Sequence, residues 1–387
     1  MCTKGVLMSY GDGAIYMRSD GRWAAKYVAY SGAKPKYLYG KSESEVKRKL
    51  KQFKQSPEVL SAVAPSKLTL EEYLWEWLRV FKKPTIKQST YDRLESVIRG
   101  TITPEMGWVP VGDLTAKMCQ EFINKMLDEG KSYWVIKKAY DTLSNCMEHA
   151  VKSGDLSRNP MATVGAPSKA NFEQKDTRAL SREEEQALLT ELERTYASSG
   201  RPVYNYRFAF ILLLNTGMRL GELLALDWDD VDLGAKTLSI SKNAVMVRTR
   251  DSKGKAIGKQ EQIIQPTPKT KSGNRIIPLN QTAINALRHL KNEAGTSNYV
   301  VNTSNFNRPL ANALLKQINL AYSRCNITNA GVHTLRHTCA TRLFERGAQL
   351  KDVSAILGHS SIGVTANTYV HVLADRKQNV VNLLDEP

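Results

Sequence analysis

His333-Thr-Leu-Arg336, Leu357-Gly-His359 and Asn367-Thr-Tyr369 lie near the C-terminal end of the chain, and Thr216-Gly-Met-Arg219-Leu-Gly-Glu222 precedes them. Together they gather two arginines, two histidines and one tyrosine. That set suits attack on a phosphodiester. Each arginine can fork onto a pair of phosphate oxygens. The histidines can move protons near neutral pH. The tyrosine can serve as a covalent nucleophile. No HExxH or CxxC pattern accompanies them, so the residues point to chemistry without a metal motif.

The spacing places these groups on local structure. Phe208 to Gly217 reads as an apolar helix ended by a glycine cap. A new helix opens near Met218, so Arg219 is expected at a helix start, where an anion is favoured. Glu222, three residues on, can orient a neighbouring side chain; alone, the pair also reads as an ordinary surface ion pair. His333 and Arg336 share a face at the start of a helix ended by Gly347. His337 follows His333 by one turn, with Cys325 and Cys339 nearby, so a zinc pair has to be weighed. Arg336 beside a metal is unfavourable, and His337 reads as a packing or supporting residue. Leu350–Leu357 is a helix ended by Gly358, with His359 directly after it. A short helix from Ser360 or Ser361 leads to Tyr369. A tyrosine in such a helix is usually a core residue; the upstream motifs reverse that reading.

In this order and with these gaps, the motifs resemble those of the tyrosine recombinases of the phage integrase family. The chain is most similar to integrases of conjugative transposons and related mobile elements. The resemblance implies that Tyr369 attacks one phosphodiester, forms a 3′-phosphotyrosyl link and releases a 5′ hydroxyl. Arg219 and Arg336 would clamp the phosphate, and Glu222 would support them. His333 would hydrogen-bond the phosphate or accept the tyrosine proton, and His359 would contact the phosphate. A general-acid lysine is implied on a hairpin. In Pro268-Lys-Thr-Lys271-Ser-Gly273-Asn-Arg275 the Lys-Ser-Gly-x-Arg context favours Lys271, with Lys269 the alternative. Because the phosphotyrosine keeps the bond energy, no cofactor, ATP or metal is implied. Two rounds of exchange would pass through a Holliday junction and integrate or excise an element. The implied partners are double-stranded DNA at crossover and arm-type sites, further copies of the chain in a tetramer, and an accessory excision factor. Val370–Pro387 is in part amphipathic and is expected to dock in trans. A type IB topoisomerase, a chromosome-dimer resolvase and a DNA-binding regulator with a dead site remain the competing readings.

Charge agrees with a polyanionic partner. The net charge is +17 over 387 residues, and it is unevenly spread. Residues 1–64 carry +7, residues 65–165 carry +1, and the remainder +9. A merely basic surface would be more uniform. The five cysteines are scattered, as expected for reduced thiols in a cytoplasmic protein. Neither a secretory signal nor a membrane span is expected.

The expected fold class is multidomain and mainly α. Residues 1–56 read as a small α+β arm-binding domain, a three-stranded sheet plus one helix, with Arg18, Arg22 and Lys26 as DNA contacts. Residues 57–66 form a linker. Residues 67–160 read as a helical-bundle core-binding domain, opened by a Thr69/Glu72 capping box. There Lys83, Lys87, Lys137 and Lys138 are candidate phosphate contacts, or simply a solvated face. Residues 161–178 are a second linker. Residues 179–387 form a mostly helical catalytic domain with a β-hairpin insertion, Lys242–Gln265 being its hydrophilic part, and the C-terminal tail.

Overall fold

The computed structural model describes residues 13–28, 35–54, 68–172, 178–251, 256–266, 274–359 and 361–369. Lys269, Lys271 and the tail from Val370 lie outside the described residues. The chain divides into two units, residues 1–173 and 174–387.

The first unit opens with an antiparallel sheet in the order β1-β2-β3: β1 Ala14–Met17, β2 Trp23–Tyr27 and β3 Lys36–Gly40. The β1–β2 turn needs a left-handed residue, and Gly21 supplies it at φ +78°. The register aligns Ile15 with Ala25 and Ala25 with Leu38. This face packs on Val46 and Leu50 of α1, Glu43–Lys54. Ser42 caps α1 by accepting from the Glu45 N–H at 3.2 Å. The Glu45 carboxylate, however, accepts from the Lys41 N–H at 2.8 Å, so it reaches one residue further back than a capping box requires.

A helical bundle with its own core follows. Its first helix, α2, spans Leu70–Glu76 and starts at the expected box. Thr69 accepts from the Glu72 N–H, and the Glu72 carboxylate accepts from the Thr69 N–H at 2.9 Å. Leu70, Tyr73, Leu74, Trp77 and Leu78 form its apolar stripe, and all are buried. Each such side chain contributes roughly 1.5–3 kcal/mol of transfer free energy. The bundle continues with α3 Gln88–Val97, α4 Thr103–Met106, α5 Ala116–Asp128 and α6 Tyr133–Ser153. Gly154 ends α6 at φ +86°. Between α3 and α4 the helix widens, with the Thr103 N–H reaching back five residues to Ile98 O.

The second unit begins with α7, Arg182–Leu192, capped by Ser181 and Glu184. Next come α8 Arg207–Thr216 and α9 Leu220–Ala225. The β-rich insertion holds two sheets. β4 Val231–Asp232, β5 Thr237–Ile240 and β8 Arg275–Pro278 form one antiparallel sheet. β6 Lys242–Arg250 and β7 Ala256–Pro266 form the hairpin expected from the hydrophilic segment. Five helices complete the unit: α10 Gln281–Ala294, α11 Ala311–Arg324, α12 Val332–Glu345, α13 Leu350–Leu357 and α14 Ile362–Thr368. A large apolar core joins α7–α12 with the β4-β5-β8 sheet. A smaller cluster lies between α12, α13 and Tyr369. No helix among the described residues is long and apolar enough to cross a membrane.

Candidate active site

Two left-handed glycines make the turns that carry the site. Gly217 ends α8 at φ +63° and turns the chain into α9, whose N-cap is Arg219. Gly217 also lies against α12 and α13. A Cβ there would stand 2.7 Å from Leu357 Cδ2 and 3.3 Å from Cys339 Sγ. Gly358 ends α13 at φ +67° and delivers His359. Gly221 serves a different purpose: a Cβ there would lie 2.7 Å from Ala244 O, so only glycine lets β6 sit on α9.

Glu222 organises one half of the site. It is 3 % exposed, which excludes the surface-pair reading of Arg219 and Glu222. Its carboxylate accepts from the Arg219 backbone N–H and Nη1, both at 2.8 Å. It also accepts from Arg275 Nη2 at 2.7 Å and Nη1 at 3.2 Å. Burial raises the Glu222 pKa, but the Arg275 hydrogen bond and charge, with Arg219 behind them, bring it below the ordinary carboxylate value. Arg275 further donates from Nε to Ile356 O at 2.7 Å, on the last turn of α13.

Arg336 organises the other half. It is 6 % exposed and donates to Gly217 O at 2.7 Å and Leu357 O at 2.8 Å. One guanidinium thus ties the end of α8 to the end of α13. No carboxylate pairs with it among the described residues. Burial, then the nearby Arg219 charge, pushes its pKa down to about 10.

Three imidazoles and the tyrosine surround these arginines. His333 keeps one side open to solvent, and the protein around the rest of it, then Arg336 and Arg219, holds its pKa below the ordinary value. His359 is pushed down to about 4 by burial, then by the same two arginines, and its Nδ1 lies 2.7 Å from Thr365 Oγ1. His337 is also pushed down to about 4, by burial, His333 and Arg336. Tyr369 is 2 % exposed and follows α14 directly. Burial raises its phenol to about 12 despite the opposing pull of Arg336. Its hydroxyl lies 3.0 Å from His337 Nδ1.

Arg219, Glu222, Arg336, His333, His359 and Tyr369, singled out in the sequence, therefore stand together in one unit. Among the described residues no cluster of three or more His, Cys, Asp and Glu is arranged to hold a metal ion, and the four described cysteines are free. Arg275 belongs to the site without having been assigned a role there, and His337, read as a packing or supporting residue, stands against Tyr369. Arg275 carried a legible signal. Two-residue alternation puts it on the β8 face of buried Ile277, where a charge needs a partner. His337 carried none that separated it from a core histidine.

In the first unit, Arg18 and Arg22 both pair with Asp20, at 3.3 and 2.8 Å. Lys26 is exposed in register with Tyr37, on the sheet face away from α1. Lys137 and Lys138 line a 430 Å³ cleft with Lys82, Arg93 and Trp134. Lys83 is exposed and Lys87 half-buried, outside that lining.

Residues 178–376 match the phage integrase family, and residues 69–127 match the phage integrase N-terminal SAM-like domain. The chain is 29% identical to a tyrosine recombinase XerC-like protein of Caldanaerobacter subterraneus over 91% of each chain. Its fold is similar to the Tn1549 transposon integrase solved with transposon right-end DNA. The TM-score is 0.66 at 22% identity, covering 82% of this chain and all of that one. It is also similar to a lambda integrase tetramer bound to a Holliday junction, at TM-score 0.59 and 21% identity, over 92% and 94% of the two chains. A family match over half of the chain, on a site of clustered arginines around a tyrosine, leaves one conclusion: the chain belongs to the phage integrase family and is a tyrosine-type site-specific recombinase.

Proposed function

We propose that this recombinase integrates and excises a mobile DNA element through a 3′-phosphotyrosyl intermediate on Tyr369. The observation that carries the reading is electrostatic. Among the described residues, three guanidinium groups stand beside a tyrosine with one carboxylate, that of Glu222, which binds Arg219 and Arg275 while Arg336 is held by backbone carbonyls. The excess positive charge is fixed before any ligand arrives and suits a phosphodiester that gains charge in its transition state. Arg336 and Arg219 clamp the non-bridging oxygens. His333 and His359, neutral at working pH, donate hydrogen bonds to them. Tyr369 attacks phosphorus as its phenol proton passes to neutral His333, the bond to the 5′ oxygen breaks, and Lys271 (or Lys269) gives that oxygen a proton. The 5′ hydroxyl of a partner strand then attacks the phosphotyrosine and restores the phenol. Two such rounds pass through a Holliday junction.

The remaining partners follow from the two units. Residues 1–56 serve as an arm-site module, whose outer sheet face presents Tyr16, Tyr37, Tyr39, Arg18 and Lys26. Residues 67–160 serve as the core-site module, with Lys137 and Lys138 in the basic cleft. Four copies act on two duplexes; the likeness to the lambda integrase tetramer on a Holliday junction supports this. Val370–Pro387 ties neighbouring copies together in trans, and an accessory factor directs excision. The reaction takes place in the cytoplasm.

The test uses nicked duplex DNA carrying an element end, with EDTA present. Wild type is expected to form a protein–DNA adduct that survives SDS, and Tyr369→Phe is expected to form none. Adducts in both would move the nucleophile elsewhere. Tight DNA binding with no adduct in either would favour a regulator.

A further inference from the structure

A buried phenol hydroxyl needs a hydrogen-bond partner, because leaving it unpaired carries the full cost of its desolvation. Tyr369 is 2 % exposed, its ring 5.3 Å from that of Phe344 and clustered with Ala340, Val353 and Leu357. The partner of its hydroxyl is His337 Nδ1, at 3.0 Å. Nothing in the proposed chemistry employs His337. Yet it sits one residue from Arg336, and its ring lies 5.8 Å from the tyrosine ring. His333 and Arg336 lower its pKa, with His359 and the Tyr369 phenol the other titratable groups beside it, and burial with these influences keeps it neutral at working pH. A neutral imidazole can hold a phenol by one hydrogen bond without drawing it toward tyrosinate.

At 2 % exposure the Tyr369 side chain presents almost no surface to a bound duplex while His337 holds its hydroxyl. Resting on the reading of Tyr369 as nucleophile, we propose that His337 is a positioning residue: its Nδ1 stows the Tyr369 hydroxyl, and that bond must break before cleavage. Removing the partner nitrogen leaves the stowed hydroxyl unpaired and the released one solvated. The equilibrium should then move toward release by about tenfold.

The experiment uses the full chain and two substitutions. His337→Phe keeps an aromatic ring and removes the nitrogens; His337→Gln keeps a side-chain hydrogen-bonding group. Without DNA, nitration of Tyr369 by tetranitromethane, located by mass spectrometry, reads the exposed phenol. With nicked DNA, the initial rate of SDS-stable adduct reads the released nucleophile. Nitration is expected to rise about tenfold in His337→Phe and to return toward wild type in His337→Gln. The adduct rate is expected to follow the same order. Unchanged nitration in His337→Phe would overturn the proposal. Raised nitration with a lower adduct rate would overturn it too, making His337 a participant in the chemical step. If His337→Phe melts more than about 5 °C below wild type, His337→Leu replaces it with the same expected order. Nitration is read without DNA, so it decides the stowing role even if Tyr369→Phe shows the nucleophile to lie elsewhere.

Discussion

Arg219 and Arg336 are the same side chain set to one proposed task in two different surroundings. The Arg219 side chain is 41% exposed at the start of a helix, and Glu222 meets its charge within one turn. Arg336 is 6 % exposed and is held by two backbone carbonyls. Carbonyls orient a guanidinium and leave its charge whole. The difference appears in their neighbours. Arg336 stands ahead of Arg219 among the causes that lower His333 and His359, and for His337 it acts where Arg219 does not. A fixed, unopposed cation sets the field of the site. A partly exposed, compensated one keeps the freedom to meet the ligand.

The comparison can be broken most sharply at Arg336. Arg336→Ala removes the field and unties Gly217 O from Leu357 O. Adduct formation is expected to fall by about 10³-fold or more. Arg336→Lys should recover little, because one ammonium cannot reach two carbonyls and still fork onto a phosphate. Near-wild-type adduct formation in Arg336→Lys would show that charge alone suffices. The matching change on the other side is Glu222→Gln, which leaves Arg275 buried beside Arg219 without a carboxylate. An uncompensated buried charge costs about 3–5 kcal/mol, so the melting temperature of the second unit should fall by about 10 °C. Arg275→Ala should fall by less, because the partly exposed Arg219 still pairs with Glu222. Equal losses in the two variants would mean that the carboxylate has no special role.

The two arginines also mark how far the sequence could be read. Arg219 and Arg336 were legible because each follows a local rule: a glycine turn before a helix in one case, helical spacing from His333 in the other. The Thr69/Glu72 box of α2 and the β6–β7 hairpin were legible for the same reason. What holds the arginines was not. Glu222 meets Arg275 across 53 residues, and Arg336 meets Leu357 O across 21. Such pairings depend on how α8, α12, α13 and β8 are brought together, and no periodicity encodes that. The cap of α1 shows the same limit on a small scale. Ser42 and Glu45 have the spacing of a reciprocal box, but the Glu45 carboxylate accepts from the Lys41 N–H instead.

The smallest effect concerns pH, and it sharpens the comparison by weighing the two arginine fields directly. His337 and His359 titrate near 4 in the folded chain, against an ordinary value of 6.5. Between those values the unfolded chain binds more protons than the folded one, so stability rises with pH there. The contribution is therefore complete above about pH 6.5 and is lost as pH falls toward 4. Both rings are half-buried, and solvent screening reduces the effect. The melting temperature is expected to drop by about 5 °C from pH 7 to pH 5. Burial is the leading cause in both rings, so neither arginine substitution should abolish the drop. Arg336→Gln should shrink it more than Arg219→Gln, because Arg336 acts on both histidines and Arg219 on His359 alone. Melting curves of the three proteins at the two pH values decide the matter. A larger change in Arg219→Gln would assign the dominant field to the exposed, compensated arginine and reverse the comparison.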